Sequence, residues 1–380
     1  MTQQSPLTII HLVRSPIGGI FRHLADLAVA QAEQGHRVGI ICDEVTGGPF
    51  EAAHIERLRP LLPLGIRRLA MPRAVGPADI AAFMRVKRVL QSVKPDIVHC
   101  HGSKGGVYGR FAKGLGGFGG LDKGTAVFYA PHGGSLHYPK SSKEGRIYFT
   151  MERFLERWTS GLIHVSAYEQ RTYVEKVGAP KTMASVVHNG ITSAELVHVE
   201  PDETARDFLF IGMLRDLKGV DLFINAMEQL NRESPTTAWI VGDGAEEDKA
   251  RYRDMVAQRG LEEVVAFKPS TPARKAFAMA KAIVVPSRAE SLPYIVLEAA
   301  GAAMPMICTQ VGGVGEIYGD RSDALVNPDL PDITNAMRAM KQADFKSADT
   351  DYLHQRVSNE FSIKVMEQRV MDLYRSALQS

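Results

Sequence analysis

Residues 282–300 read Ala-Ile-Val-Val-Pro-Ser-Arg-Ala-Glu-Ser-Leu-Pro-Tyr-Ile-Val-Leu-Glu-Ala-Ala. The opening four form a short apolar, β-branched run of the kind that fills a strand buried on both faces. The closing residues have helical composition, and Pro293 stands where a missing N–H and a fixed φ suit a helix start. Between them lies a polar loop carrying Glu290. A strand, a polar loop and a helix N-terminus make an anion site, because first-turn amides and the positive dipole end favour phosphate. Glu290 and Glu298 flank that terminus with seven residues between them. A carboxylate one or two turns into the helix accepts a pair of hydroxyls, such as those of a ribose. One in the preceding loop accepts hydroxyls of a sugar. The stretch therefore fits both ends of a nucleotide sugar.

The same unit of strand, turn and helix repeats outward in both directions. Strands are expected in the first half at Thr8–Val13, Arg37–Cys42, Gly65–Met71, Asp96–His101, Ala126–Ala130, Leu162–Val165 and Ala184–Val187. In the second half they are expected at Phe208–Met213, Ala238–Val241, Val264–Lys268, Ala282–Val285, Met306–Thr309 and Ala324–Val326. Helical patterns such as Ile20–Gly35, Ile80–Val93, Val220–Arg232 and Glu246–Arg259 lie between them. Strand and helix alternating predict doubly wound α/β with parallel sheets. At 380 residues the chain exceeds one hydrophobic core. The rhythm breaks at Ser193–Arg206, a polar stretch expected to be the linker. Two Rossmann-like domains are predicted, over 1–195 and 203–355. Residues 356–380 are expected to pack back on the first domain, within a single helical segment Asp351–Leu378. Ligands of two such sheets bind outside the strand carboxyl ends, so the cleft between domains is the expected site.

Residues 282–300 resemble the E-x7-E signature of family four retaining glycosyltransferases, of the type that builds bacterial polysaccharides and lipid-linked saccharides. Seven further segments resemble that family in its order. Gly18-Gly19 is similar to its N-terminal glycine loop, and Lys94-Pro-Asp-Ile-Val-His-Cys-His101 to its KPDIVHAH strand. Tyr129-Ala-Pro-His-Gly133 resembles the TxHG segment, and His188-Asn-Gly-Ile191 the turn before the linker. Phe210-Ile-Gly-Met-Leu-Arg-Asp-Leu-Lys-Gly219 resembles GRLxxxKG. Trp239-Ile-Val-Gly-Asp-Gly244 and Val311-Gly-Gly-Val-Gly-Glu316 resemble LxIVGxG and VGGxxE. One departure is that Met213 follows the glycine where the family often has arginine; Arg215 comes two places later, and Lys218 keeps its register.

The resemblance implies the GT-B fold, two Rossmann-like domains facing across a cleft. It implies retaining transfer of a sugar from a UDP- or GDP-linked donor to a saccharide or lipid-linked acceptor. It further implies site roles. Gly18 and Gly19 let backbone amides approach the diphosphate; Arg215, Lys218 and the amides of Leu292 and Tyr294, on either side of the donor-binding Pro293, meet it from the second domain. Glu298 takes the ribose hydroxyls, Glu290 a donor-sugar hydroxyl, and Lys268–Thr271, with Ser270 among them, borders the base. His132 sits beside the sugar. On the acceptor side stand His101, Lys104 and Gly133. Cations and helix amides replace a metal as phosphate clamp, so no metal or other cofactor is expected.

Charge is unevenly spread. Residues 1–195 carry 24 Lys+Arg against 15 Asp+Glu, and residues 196–380 carry 21 against 28. Between Arg57 and Lys113, 12 cationic side chains face only Asp79 and Asp96. This predicts a lipid-linked or anionic acceptor at a membrane surface, with Arg85, Lys87, Arg88 and Lys94 meeting headgroups, or simply a basic solvated face. Nucleic acid is not expected, since few aromatics interleave with the charges. Cys42, Cys100 and Cys308 form neither a disulfide framework nor a ligand pair, which points to a reducing compartment. With no secretory pattern at Met1–Pro6, a cytoplasmic protein with peripheral contact at the inner membrane face is expected.

Several patterns are decoys. Val241–Glu247 begins like a dinucleotide fingerprint but ends on Glu247. His132-Gly-Gly-Ser135 has no hydrolase G-x-S-x-G elbow to serve, and no P-loop occurs. Asp349-Thr-Asp351 reads as a solvated polar loop. Gly114–Gly120 with Gly105-Gly106 reads either as a mobile acceptor-side loop or as a floppy surface connection. The competing functions are a GT-B nucleotide-sugar 2-epimerase and a non-enzymatic nucleotide-sugar-binding subunit. The first needs acid–base carboxylates beside the sugar, and the pairing of GRLxxxKG with E-x7-E speaks against it.

Overall fold

A computed structural model describes residues 5–115 and 120–379. Residues 1–4, which open the expected cytosolic N-terminus, and 116–119, within the glycine-rich stretch Gly114–Gly120, lie outside the described residues.

The chain divides into two compact units, Met1–Asn189 with Ile363–Ser380, and Gly190–Ser362. The first holds seven strands: β1 Thr8–Val13, β2 Arg37–Asp43, β3 Ile66–Leu69, β4 Ile97–His101, β5 Ala126–Ala130, β6 Gly161–His164 and β7 Met183–Val186. Their order is β3-β2-β1-β4-β5-β6-β7, with every described pairing parallel. The second unit holds β8 Arg206–Ile211, β9 Ala238–Val241, β10 Val265–Lys268, β11 Ala280–Val285 and β12 Met306–Cys308, ordered β10-β9-β8-β11-β12 and again parallel.

Continuous apolar strands follow from helices on both faces. In β1, Ile9 and Val13 join one core with Leu24, Leu27, Val370 and Tyr374. Ile10 and Leu12 join the opposite core with Val86, Leu90 and Cys100. Helix Gly102–Gly114 lies close on the sheet because its contact positions lack side chains. A Cβ on Gly105 would fall 2.5 Å from the Leu12 carbonyl oxygen, and one on Gly109 2.2 Å from Cys100 Sγ. Gly105-Gly106 is thus helix packing, not a loose connection.

Four features differ from expectation. Residues 193–202 hydrogen-bond into the second unit (Val199 N–H to Ala302 O at 3.0 Å, Asp202 N–H to Ala278 O at 2.7 Å), so the division falls at Asn189. The closing helical segment is two helices, Thr350–Glu360 and Ile363–Gln379, and the second belongs to the first unit. Asp349-Thr-Asp351 opens the earlier of these helices rather than a loop. Ala324–Val326 forms only a single bridge, Val326 with Thr309, because the chain turns at once into helix Leu330–Gln342.

Candidate active site

In the second sheet the order reverses between β8 and β11, the switch point at which a doubly wound sheet binds its ligand. The loop after β8 brings Lys218 and the loop after β11 brings Glu290. Lys218 Nζ donates to Glu290 Oε1 at 2.5 Å, and Ser287 Oγ donates to the same oxygen at 2.7 Å. Both charged side chains are largely covered, Glu290 at 9% exposure and Lys218 at 21%. Arg215, three residues before Lys218, is exposed and makes no ion pair among the described residues.

The Glu290 loop is held by backbone contacts from three directions. Arg288 N–H donates to Leu217 O at 2.8 Å, tying it to the Lys218 loop, while the Arg288 guanidinium grips both Asp221 oxygens at 2.7 Å. Thr309 Oγ1 donates to Ser287 O at 2.6 Å from the end of β12. Gly313 N–H donates to Ser291 O at 3.0 Å, and Gly312 (φ +58) lies so close that a Cβ there would sit 1.6 Å from the Glu290 carbonyl oxygen. The glycines of the VGGxxE segment therefore act as a buttress that only side-chain-free backbone can form. Beyond the loop, Pro293 is the N-cap of helix Tyr294–Gly301, which begins one position after the expected start at Pro293. Leu292, Pro293 and Tyr294 are buried and Glu298 half-buried on the second turn. Ser270 follows the carboxyl end of β10.

In the first unit the switch point lies between β1 and β4. Gly18 and Gly19 open the helix that follows β1, with Gly18 at φ +66. His101 ends β4 and His132 follows β5. His132 has the left-handed backbone of a strained loop (φ 53), followed by Gly133 at φ 75. Gly133 N–H donates to Glu169 Oε1, and Val165 N–H to Glu169 Oε2 at 3.0 Å, so one buried carboxylate fixes this loop. Lys104 is tied to Asp79 at 2.6 Å and to Ala74 O at 2.8 Å, so its ammonium already has protein partners.

Sequence reasoning missed two groups. One is Glu152, buried under the His132 loop, which accepts from Arg110 Nη2 at 2.7 Å, Tyr129 OH at 2.9 Å and Ser135 Oγ at 3.3 Å. The other is the set of buried imidazoles His11, His23 and His99, which gather around the expected site residues His101, buried, and His132, half-buried. His11 Nδ1 and His101 Nε2 are 3.0 Å apart, as are His101 Nδ1 and His132 Nε2. The signal was the spacing His99-x-His101, which puts both rings on one face of a strand. Burial pushes His11 and His23 down to about 4, and holds His99, His101 and His132 well below the usual histidine range. The triples His11–His99–His101 and His23–His101–His132 each bring ligand atoms within 4.8 Å of one another, close enough to share a metal ion.

Residues 17–195 match the family model Glycosyltransferase Family 4, and residues 205–342 match Glycosyl transferases group 1. A glycogen synthase of Mycobacterium tuberculosis is 28% identical over 350 residues, covering 85% of this chain and 82% of that protein. An Escherichia coli UDP-Gal:alpha-D-GlcNAc-diphosphoundecaprenol alpha-1,3-galactosyltransferase is 22% identical over 392 residues, 97% of each chain. Among solved structures, Anabaena Alr3699/HepE in complex with UDP and glucose aligns over 97% of this chain and 100% of its own, with TM-score 0.79 and 17% identity. The two parallel-sheet units are those of the GT-B architecture. Fold and sequence together define a glycosyltransferase. The chain belongs to glycosyltransferase family 4.

Proposed function

We propose that this glycosyltransferase moves a sugar, with retention of configuration, from a nucleotide-diphosphate sugar to a saccharide or lipid-linked acceptor in cell-surface polysaccharide or glycolipid synthesis. The observation that carries the reading is the Lys218–Glu290 pair at the switch point of the second sheet, beside the helix start at Pro293. Such an arrangement supplies what transfer demands. The departing diphosphate meets Arg215, Lys218 and the backbone at Leu292–Tyr294 as its negative charge grows. Lys218 has three donors and gives one to Glu290, which leaves it able to give others to phosphate. Arg215 adds an exposed cation that makes no ion pair among the described residues. Glu298 takes the ribose hydroxyls, Glu290 a sugar hydroxyl, and Ser270 borders the base. From the first unit, Gly18 and Gly19 offer close backbone approach and His132 a hydrogen bond to the sugar.

The glycosidic bond to the phosphate oxygen breaks and a bond from the acceptor oxygen forms on the same face. The acceptor's proton passes to the leaving phosphate oxygen, which needs neither a covalent carboxylate nor a metal. UDP or GDP is the expected nucleotide.

Lys218→Ala and Glu298→Ala separate these roles. The first is expected to remove about 2 to 4 kcal/mol of leaving-group stabilisation, and the second to lower turnover and donor affinity at least about tenfold. Donor titration by thermal shift with UDP- and GDP-sugars, followed by turnover assays, reads both. Unchanged kinetics in both variants would sink the donor site, and an epimer formed from donor alone would replace transfer by epimerisation.

The first unit is proposed to meet an anionic membrane. Helix Ala78–Val93 supports this by exposing Ile80 and Met84 next to Arg85 and Arg88. No helix among the described residues is long and apolar enough to cross a membrane. Sedimentation with vesicles containing anionic lipid, and not with neutral ones, is the expected outcome; equal binding to both would count against the contact.

A further inference from the structure

One line of hydrogen-bonded nitrogens in the first unit ends at His132, and its polarity can be read from its far end. The Gln31 amide nitrogen donates to Met371 Sδ at 3.6 Å, so its carbonyl oxygen is the atom that faces His11 Nε2 at 2.8 Å. A carbonyl oxygen only accepts, so His11 carries its proton on Nε2 and a lone pair on Nδ1. That lone pair lies 3.0 Å from His101 Nε2, which must then be the N–H. His101 Nδ1 is left bare, 3.0 Å from His132 Nε2, which must donate to it. A neutral imidazole with its proton on Nε2 presents a lone pair on Nδ1. A second proton on His11 or His101 would set two N–H groups against each other across a 3.0 Å gap. Burial works in the same direction, because it disfavours the imidazolium throughout the row.

We propose that Gln31, acting through His11 and His101, locks His132 as the tautomer whose Nδ1 accepts, so that the site selects a ligand group that donates a hydrogen bond there. Resting on the glycosyl-transfer reading above, that group is a sugar hydroxyl rather than a carbonyl or phosphate oxygen. His11, His101 and Gln31 are positioning residues. They touch no ligand in this scheme and act by deciding which nitrogen of His132 keeps its proton. The loop geometry serves the same end. Glu169 accepts from Gly133 N–H, and the His23 ring packs edge-on against His132 with centroids 4.7 Å apart, a contact that crowds the imidazole against turning over to exchange its nitrogens.

Nitrogen-15 NMR of histidine-labelled protein without ligand tests this, since protonated and bare ring nitrogens resonate in separate ranges. In the wild type, His132 should show a bare Nδ1 and a protonated Nε2. Gln31→Leu removes the terminal acceptor, and the His132 signals should then move to a mixture of tautomers. In the same variant kcat should fall about tenfold while the donor KM changes less than about twofold. His101→Asn keeps an acceptor near the Nδ1 position and should retain more turnover than His101→Leu, which provides a second reading if Gln31→Leu folds poorly. A protonated Nδ1 in the wild type, or His132 signals indifferent to Gln31→Leu, would overturn the proposal. So would one zinc ion per chain, held through purification and removed by a chelator with shifts across the same rings, because the nitrogens would then be ligands. Absence of any donor binding would refute the transfer reading while leaving the tautomer measurement to decide this one.

Discussion

Replacing Glu152 by alanine is expected to lower the unfolding free energy of the first unit by about 3 to 5 kcal/mol. The carboxylate lies beside a fully buried guanidinium, Arg110, at 2.7 Å, and also accepts from Tyr129 and Ser135. Arg110 is stacked on the Tyr129 ring at 3.8 Å and donates to Gly106 O at 2.9 Å, so its charge cannot withdraw to water. Removing its partner strands a cation in a low-dielectric interior and leaves two hydroxyls short of an acceptor. The same change loosens the segment Gly134–His137, held through Ser135, that follows the His132 loop. Urea unfolding of the variant against the wild type measures the loss. A shift worth less than about 1 kcal/mol would mean that water or a rearranged Arg110 compensates for the missing carboxylate. A double replacement, Arg110→Met with Glu152→Leu, should recover much of the stability, because a well-packed apolar pair has no charge left to strand.

Acid should destabilise the first unit well above the range in which carboxylates titrate. His11 and His23 are pushed down to about 4 by burial, opposed by their hydrogen bonds to Gln31 and Asn189. In the unfolded chain each titrates near 6.5. Between these values the unfolded state binds more protons than the folded one, so stability rises with pH and falls as pH drops from about 6.5 towards 4. At pH 5 each of the two contributes a loss of about 2 kcal/mol. His99, His101 and His132, held well below their ordinary range by burial and by the neighbouring rings, add to it in the same direction. Urea midpoints at pH 7.5 and pH 5.0, with an unchanged denaturant slope, should reveal the difference. A midpoint that stayed constant to pH 5 would mean that the folded protein protonates these rings without penalty, which their covered positions do not permit.

Both effects arise largely from residues that sequence reading left without a role, Glu152, Arg110, His11, His23 and His99, and the reason is physical. Glu290 and Glu298 were legible because strand, loop and helix start are contiguous, so one short window fixes their relation. Lys218 came through resemblance, although 72 positions separate it from the carboxylate it meets. The histidines were hidden differently. His11 sits in a run that reads as an apolar strand, and only the parallel register, which pairs His11 with His99 and Val13 with His101, brings the rings to one face. Gln31 and Tyr374 then reach that face from helices at opposite ends of the chain; Tyr374 bonds His99 Nδ1 at 2.7 Å.

Local pattern alone was enough to set the alternation of buried parallel strands and helices, their approximate limits and the strand, loop and helix start around Glu290, because each depends on side-chain periodicity and backbone preferences within a few residues. Sheet order, the place where one unit gives way to the next, the closeness of Gly312 to the Glu290 backbone and the row of contacts that joins Gln31, His11, His101 and His132 were decided by tertiary structure. Those features depend on contacts between segments tens to hundreds of residues apart, where packing and the need to satisfy every buried polar atom make the choice.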